Sequence, residues 1–571
     1  MNILLVNLPS LSFSLLDESL RNKEVLESPV ILQMPLSLLY LSSYARRYAK
    51  RDFNLKLLDI NKEVFEIFKE RKMSLEPRTN EGIRERFNSI VSQAVSDFRP
   101  SIVGINILYA TSQNTGIFVS GVFRKLCPEA YIIGGGIQAT NTYREILNKG
   151  SFDAIVRGEG EIPFTELIDS YRPEKKEYPI RGIVNRIDLK GNSNDTKAEM
   201  VEELDEIPFP AWDLLEGLDD YITQPVRIKA LLDNSIRAMP ILTTRGCPKR
   251  CSFCASHTVH GRKIRSRSLE NIYEEIETMI AKFHINTLFI EDDLFTYDRQ
   301  RTVDFCREAI KRNWNLRIEF PNGVAIWTLD EVSIDSLIKA GTKVINIAVE
   351  SGSPYVQKQI IRKNLNLDHV RRVAEIISRY PDIESRSLYV IGFPGERQEH
   401  IEQTMKFARS MPCDWSVFHI AMPVPGSDLF EEYLSLGYIS RDSNFDDFCK
   451  TYLNRNFDTK EFSKEEMEEI QSDLNIKINF LSNRNILRGN YKKALSLFQK
   501  IIEDYPFHVI ARYCLWNCLR ALKMHKEAQE ELNSIFYWIK NDEKSQRLYD
   551  KYKSLLEIPE DLLNAKDGSN L

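Results

Sequence analysis

Several absences narrow the sequence before any motif is read. No apolar run reaches the roughly 18–20 residues that a bilayer-spanning helix needs. Net charge is only −5 over 571 residues, so bulk charge gives no reason to expect a nucleic-acid partner. The opening MNILLVNLP reads as a strand. It lacks the basic start, apolar core and small-residue cleavage site of a secretory signal. The expected compartment is therefore the cytoplasm, where disulfides are rare. Histidine is scarce: there are eight, the first at His257. A histidine ligand from the first 172 residues is excluded. No G-x-G-x-x-G follows the first strand, which argues against a dinucleotide site.

The chain is too long for one hydrophobic core. From 1 to 172, short apolar strands (2–8, 55–60, 102–108, 130–135, 154–158) alternate with helical patterns. This predicts a five-stranded doubly wound α/β domain. Residues 173–235 are polar and proline-broken, and read as a linker. A second alternation over 236–435 carries six strands starting near 240, 287, 317, 344, 387 and 416. That pattern predicts a partial (β/α)6 barrel with ligands at the carboxyl ends of its strands. Residues 436–571 read as all-helical. Ala494 and Ala528 are 34 residues apart, the period of the tetratricopeptide repeat, and the last residues, NAKDGSNL, look like a frayed tail.

Three of the nine cysteines fall within RGCPKRCSFCAS (245–256), as Cys247, Cys251 and Cys254. A structural zinc site wants four ligands, which His257 or His260 could complete. The other reading is an iron–sulfur cluster held by three thiolates, one iron being left open. The remaining cysteines (Cys127, Cys306, Cys413, Cys449, Cys514, Cys518) sit on apolar stretches and read as small hydrophobes.

C-x3-C-x2-C with Phe253 before its last cysteine, placed just after the first barrel strand, resembles the radical SAM enzymes. FIEDD (289–293), VESGS (349–353), IGFPGE (391–396) and PVPGSDLF (423–430) follow in that family's order. The resemblance implies a [4Fe–4S] cluster on Cys247, Cys251 and Cys254. It also implies an S-adenosylmethionine site that includes Phe253, Glu350 and Ser351, with Gly392 and Pro394 toward the adenine. Asp292 and Asp293 compete for the methionine amine, and spacing does not separate them. The family's chemistry is reductive cleavage to a 5′-deoxyadenosyl radical, in a cavity that must be dry.

The first domain resembles the cobalamin-binding domain that precedes the barrel in one branch of that family. IIGGGIQAT followed by DAIVRGEGEIPFTELI is the most telling part, and the likeness spans about 1–430. It implies cobalamin contacts from Ser10, from Pro35 and Leu36, and from Thr111 and Ser112. Further contacts fall at Gly134, Gly135, Gly136, Gly158, Glu159 and Gly160. Without the D-x-H-x-x-G histidine, the lower face of the corrin would meet the 109–114 segment, with no protein ligand or only a water.

The leading expectation is thus a cobalamin-dependent methyltransferase acting on an unactivated carbon or a phosphinate phosphorus of a small-molecule or carrier-linked substrate. Cyclisation or rearrangement without net methylation is the alternative, as in the anaerobic chlorophyll-ring cyclases. A methylthiotransferase would need a second cysteine set where only Cys127 occurs. An external one-electron reductant of flavodoxin or ferredoxin type is implied. The helical tail reads as a lid or barrel-closing bundle, or as a docking surface. The run HGRKIRSRS (260–268) is either an anion-attracting patch or a solvated face. Arg386, Tyr389 and His419 fall on or beside late barrel strands, without assigned roles.

Overall fold

The computed structural model describes residues 1–21, 30–73, 82–190, 197–223, 236–441, 443 and 453–558. Five parallel strands, β1 (Asn2–Asn7), β2 (Asn54–Asp59), β3 (Ile102–Asn106), β4 (Tyr131–Gly135) and β5 (Ala154–Val156), form the first sheet in the order β2-β1-β3-β4-β5. The central strands are apolar on both faces because helices cover both. Ile3, Val6, Val103 and Ile132 have no exposed surface, and each contributes about 1.5–3 kcal/mol of burial. At the edge, β2 exposes Asn54 and Lys56. The chain leaves β1 for β2, then returns past β1 to β3. The loops part at that switch point, where such sheets bind ligands.

A sixth strand, β6 (Ile183–Asn185), pairs antiparallel with β5. It lies within the stretch that the sequence reads as linker. Three residues are too few to show a period, and the pairing that makes them a strand comes from β5.

The second unit holds six parallel strands in two sheets of three. One is ordered β11 (Arg317–Glu319), β10 (Thr287–Ile290), β7 (Ala238–Ile241), and the other β12 (Val344–Glu350), β13 (Glu384–Ile391), β14 (Trp415–Ile420). Among the described residues the two meet through one bridge, Ile318 to Thr342. The stretch PILTTRG reads as one strand in the sequence but breaks in the structure. The Thr243 N–H donates to Asp292 Oδ1 at 2.6 Å instead of extending the ladder. The chain then forms β8 (Thr244–Arg245), which pairs antiparallel with β9 (Arg265–Ser266). This hairpin closes the base of the cysteine loop.

Helices Lys464–Asn475, Tyr491–Asp504, Val509–Ala521 and His525–Asn541 follow the barrel. The first of them, with the turn Ile476–Phe480 that continues it, covers β14, which would otherwise be an open edge. The Ser416 N–H donates to Asn479 Oδ1 (2.7 Å), and Asn479 Nδ2 donates back to the Ser416 carbonyl (2.6 Å). One side chain thus takes the place of a neighbouring strand. Cys514 and Cys518 are buried in the helical core with Phe498 and Leu532, and Cys306 and Cys413 are buried in the barrel. Cys449 and the tail NAKDGSNL lie outside the described residues. Among the described residues no helix is long and apolar enough to cross a membrane.

Candidate active site between two domains

A cavity of about 650 Å³ separates the carboxyl ends of the first sheet from the mouth of the barrel. Its first wall is largely backbone. Gly134, Gly135 and Gly136 after β4, and Gly158 and Gly160 after β5, line it with Ser10, Pro35, Leu36 and Glu159. Gly136 has φ 100°, and a Cβ there would lie 2.5 Å from the Ile107 carbonyl oxygen, so no other residue fits. Below the wall the cavity runs down past Leu5, Gly104 and Phe164 into the sheet. A Cβ on Gly104 would come within 2.7 Å of Leu5 Cδ2. The cradle therefore exists because these positions carry no side chain.

Thr111 and Ser112 stand one layer behind. Thr111 Oγ1 donates to the Ser10 carbonyl and Ser112 Oγ to the Pro9 carbonyl, both at 2.6 Å. They shape the loop after β1 and do not line the cavity.

The second wall belongs to the barrel. Ser256, Val259 and His260 from the cysteine loop line it, with Phe289, Glu291 and Asp293 from the end of β10. Cys247, Cys251 and Cys254 are free, half-buried thiols on that loop. The loop is pinned from outside. The Ser252 N–H donates to the Ile361 carbonyl (3.0 Å), and the Leu429 N–H donates to the Ser252 carbonyl (2.8 Å). Burial raises all three thiols, Cys254 to about 12, and the negative charges of Cys247 and Cys251 oppose its ionisation further. Three thiolates in so small a space need a cation among them. The zinc alternative required His257 or His260 as fourth ligand, but His260 Nδ1 sits 2.7 Å from Glu159 Oε1. Among the described residues, no three histidine, cysteine or carboxylate groups converge as ligands of a single ion.

Asp292 and Asp293, inseparable by spacing, have different surroundings. Asp292 is 1% exposed. It accepts from the Thr243 N–H (2.6 Å), the Thr243 hydroxyl (2.5 Å) and the Thr244 hydroxyl (2.8 Å). Burial raises its pKa against those donors, and its oxygens are spent. Asp293 lines the cavity and accepts from the Ser256 hydroxyl. Its charge reaches Cys247 and Cys254.

Glu350 ends β12 at a bulge, with φ 68°, a conformation that is strained for a side chain of its size. It pairs with Lys363 at 2.8 Å, and Lys363 also donates to the Ala348 carbonyl at 2.6 Å. Ser351 is fully buried beside Thr404 (3.0 Å). The Phe253 and Phe393 rings lie 6.2 Å apart. Gly392 (φ 82°) is held from behind. Glu396 accepts from its N–H (2.7 Å), and Arg455 donates to its carbonyl (2.8 Å). Pro394 is buried in the same turn.

The seam between the walls is charged, and its pairing joins Glu159 to the basic run that follows the cysteines. Glu159, on the first wall, accepts from Arg265 (2.5 and 3.0 Å) and pairs with Arg245 (3.2 Å). Arg245 also pairs with Glu161 (2.7 Å). Burial alone would raise Glu159, but Arg245, His260 and Arg265 hold its carboxyl well below the usual carboxylate range. The run HGRKIRSRS is thereby accounted for. Arg265 is buried on Glu159, Arg267 is buried on Glu275 (2.5 Å), and Lys263 meets Glu202 (2.7 Å). Tyr389 is buried against Phe418 (5.1 Å), Arg386 meets Glu384 (2.6 Å), and His419 is half-buried. Arg245, Glu161 and the pairing of His260 were missed because their partners lie 84 to 101 residues away.

Residues 241–408 match the model of the Radical SAM superfamily. An uncharacterized methyltransferase of Pyrococcus horikoshii is 28% identical over 60% of this chain and 71% of its own length. The cytidylyl-2-hydroxyethylphosphonate methyltransferase of Streptomyces wedmorensis is 24% identical over 71% and 78%. The anaerobic magnesium-protoporphyrin IX monomethyl ester cyclase of Rubrivivax gelatinosus is 26% identical over 60% of each. Among solved structures, the cobalamin-dependent radical enzyme OxsB, with aqua-cobalamin bound, shares the fold over 98% of this chain and 82% of its own (TM-score 0.58, 16% identity). The methyltransferase TsrM from Kitasatospora setae, with cobalamin and a [4Fe–4S] cluster, shares it over 77% and 78% (TM-score 0.54, 17% identity).

Proposed function

We propose that this chain, whose residues 241–408 form a radical SAM domain, is a cobalamin-dependent radical S-adenosylmethionine methyltransferase. Its substrate is a small molecule or a carrier-linked one, methylated at an unactivated carbon or at phosphinate phosphorus. One observation carries the reading: a single cavity has a glycine-backbone wall on one side and the cysteine-loop wall on the other. When bound, a [4Fe–4S] cluster supplies the electron that opens S-adenosylmethionine, and cobalamin supplies the methyl group.

The residues fit both groups. Cys247, Cys251 and Cys254 are free thiols, near enough that the charges of the first two oppose ionisation of the third. Gly134–Gly136, Gly158 and Gly160 expose backbone to a broad ligand, and the Gly104 channel admits a narrow one. Asp293 is assigned to the methionine amine, because Asp292 has no oxygen to spare. Glu350 is assigned to the ribose and exchanges its bond with Lys363 for the sugar hydroxyls. The turn at Gly392 and Pro394, fixed by Glu396 and Arg455, meets the adenine.

The domain reading is a flavodoxin-like unit over 1–172, a linker over 173–235, the barrel over 236–435 and a tetratricopeptide-like helical unit over 436–571. The last closes the barrel edge through Asn479. The enzyme is read as cytoplasmic and reduced by a flavodoxin- or ferredoxin-type carrier.

The test is anaerobic purification with cobalamin supplied, then iron, sulfide and cobalt analysis of wild type and the Cys247/Cys251/Cys254→Ala variant. About four irons and one cobalt per chain, with only iron lost in the variant, is the expected result. Zinc without iron overturns it. Ring closure without methylation is the second reading, favoured by the relation to the cyclase. Label from methyl-deuterated S-adenosylmethionine appears in the product of a methyltransferase and not in that of a cyclase.

A further inference from the structure

Glu159 has an unusual position. Its backbone, between Gly158 and Gly160, is part of the first cavity wall. Its side chain leaves that wall and crosses to the barrel, where it is 2% exposed. There its polar contacts among the described residues fall on three residues of the cysteine-loop hairpin. Arg265 donates to both oxygens (2.5 and 3.0 Å), Arg245 approaches at 3.2 Å, and His260 Nδ1 at 2.7 Å.

Arg245 and Arg265 are not arbitrary points on the hairpin. They face each other in the β8–β9 ladder, at the base from which the loop with Cys247, Cys251 and Cys254 springs. Arg245 stands two positions before Cys247. The third contact, His260, itself lines the cavity. One carboxylate therefore clamps both stems of the loop and one side of its tip. The field around it is closed. Glu161 balances Arg245 at 2.7 Å, and the Val201 carbonyl takes a further bond from Arg265 at 2.6 Å. Buried charge pairs are sensitive to displacement and costly to break, so a shift of the Gly158–Gly160 backbone is transmitted to the loop base.

We propose that Glu159 is a positioning residue that couples the two cofactor sites: a ligand seated on the Gly158–Gly160 wall sets the cysteine loop, and an occupied cysteine loop tightens the wall. This rests on the cofactor assignments above and adds a thermodynamic link between them. Coupling of this kind is reciprocal, so it can be read from either side.

The experiment titrates hydroxocobalamin, followed by absorbance, into two forms of the full chain. One carries reconstituted cluster and S-adenosylmethionine, and the other is the Cys247/Cys251/Cys254→Ala variant. In the Glu159-containing protein the cluster-loaded form binds hydroxocobalamin about fivefold or more tightly. With Glu159→Gln, which keeps the side-chain length but not the charge, the two forms bind alike. The reciprocal readout is equilibrium binding of S-adenosylmethionine to the chain with oxidised cluster, which hydroxocobalamin tightens in wild type and leaves unchanged in Glu159→Gln. If Glu159→Gln fails to fold, His260→Gln breaks one contact of the clamp, leaves both arginine pairs in place, and reduces the coupling.

Equal affinities in wild type, or full coupling retained in the folded variants, overturn the proposal while leaving both cofactor assignments standing. A chain that takes up iron but no cobalamin overturns the cofactor assignment itself, and the coupling with it.

Discussion

The two walls of the cavity are built on opposite principles. The first-domain wall owes its depth to bare backbone: glycines after β4 and β5 stand where a side chain would fill the space or strain the chain. The barrel wall is side chains, with Asp293 and Ser256 held on each other, His260 held on Glu159, and the three thiols on the loop behind. A wall of bare backbone receives a broad ligand and says little about its chemistry. A wall of fixed side chains selects electrons, charges and protons. Between them, Glu159 and Glu161 stand on the first wall and pair with arginines of the second, Glu159 being the one of the two that meets both Arg245 and Arg265.

The largest way to break this contrast is on the barrel side. Replacing Cys247, Cys251 and Cys254 with alanine should remove the iron and lower turnover at least about a thousandfold. Folding and cobalamin uptake should persist, because no thiol braces the first wall. Loss of cobalt as well would mean that the walls are not separable.

The two aspartates sharpen it next. Asp292→Ala leaves the Thr243 N–H and two hydroxyls without their acceptor, and should cost about 3 kcal/mol of stability. Asp293→Asn should leave the melting temperature close to wild type but weaken S-adenosylmethionine binding about tenfold, the loss of one charge-assisted bond. Calorimetry and equilibrium binding on the two variants decide this, and equal effects would erase the distinction between bracing and binding.

On the backbone wall, Gly136→Ala should destabilise by about 2 kcal/mol, because φ 100° and the Ile107 carbonyl both oppose a Cβ. A denaturant melt with unchanged iron content would place the damage in the first wall alone.

The last effect is expected away from the cavity, in the helical unit, and only under acid conditions. His508 is buried beside Phe480, and its Nδ1 accepts the Ala511 N–H at 3.1 Å. Burial lowers its pKa from 6.5 to about 4, since a protonated ring could not accept that bond. The folded state therefore binds fewer protons than the unfolded state between those values. Stability is full above pH 6.5 and is lost as pH falls toward 4, by at most about 3 kcal/mol. Far-ultraviolet melts of wild type and His508→Asn across that window check it, the variant being the flatter.

The elements of both α/β units were legible because parallel strands buried on two faces write themselves as apolar runs. The cysteine triplet was legible because its members are neighbours in the chain. The paired carboxylates at 292 and 293 were legible as a pair only. Which one faced the cavity depended on Thr243, whose backbone leaves β7 to meet Asp292. Strand β6 escaped because three residues show no period without β5 beside them.

What the sequence determined by itself is local: strand and helix periods, the thiol triplet, and the glycines that keep the strand ends open. The tertiary structure decided everything that needs two distant segments at once. It turned Arg245 and Arg265 inward onto Glu159, gave Asp292 and Asp293 different work, and set Asn479 against the edge of β14. The physical reason is that burial and pairing fix a polar side chain's role, and both are properties of neighbours that the chain brings together only when it folds.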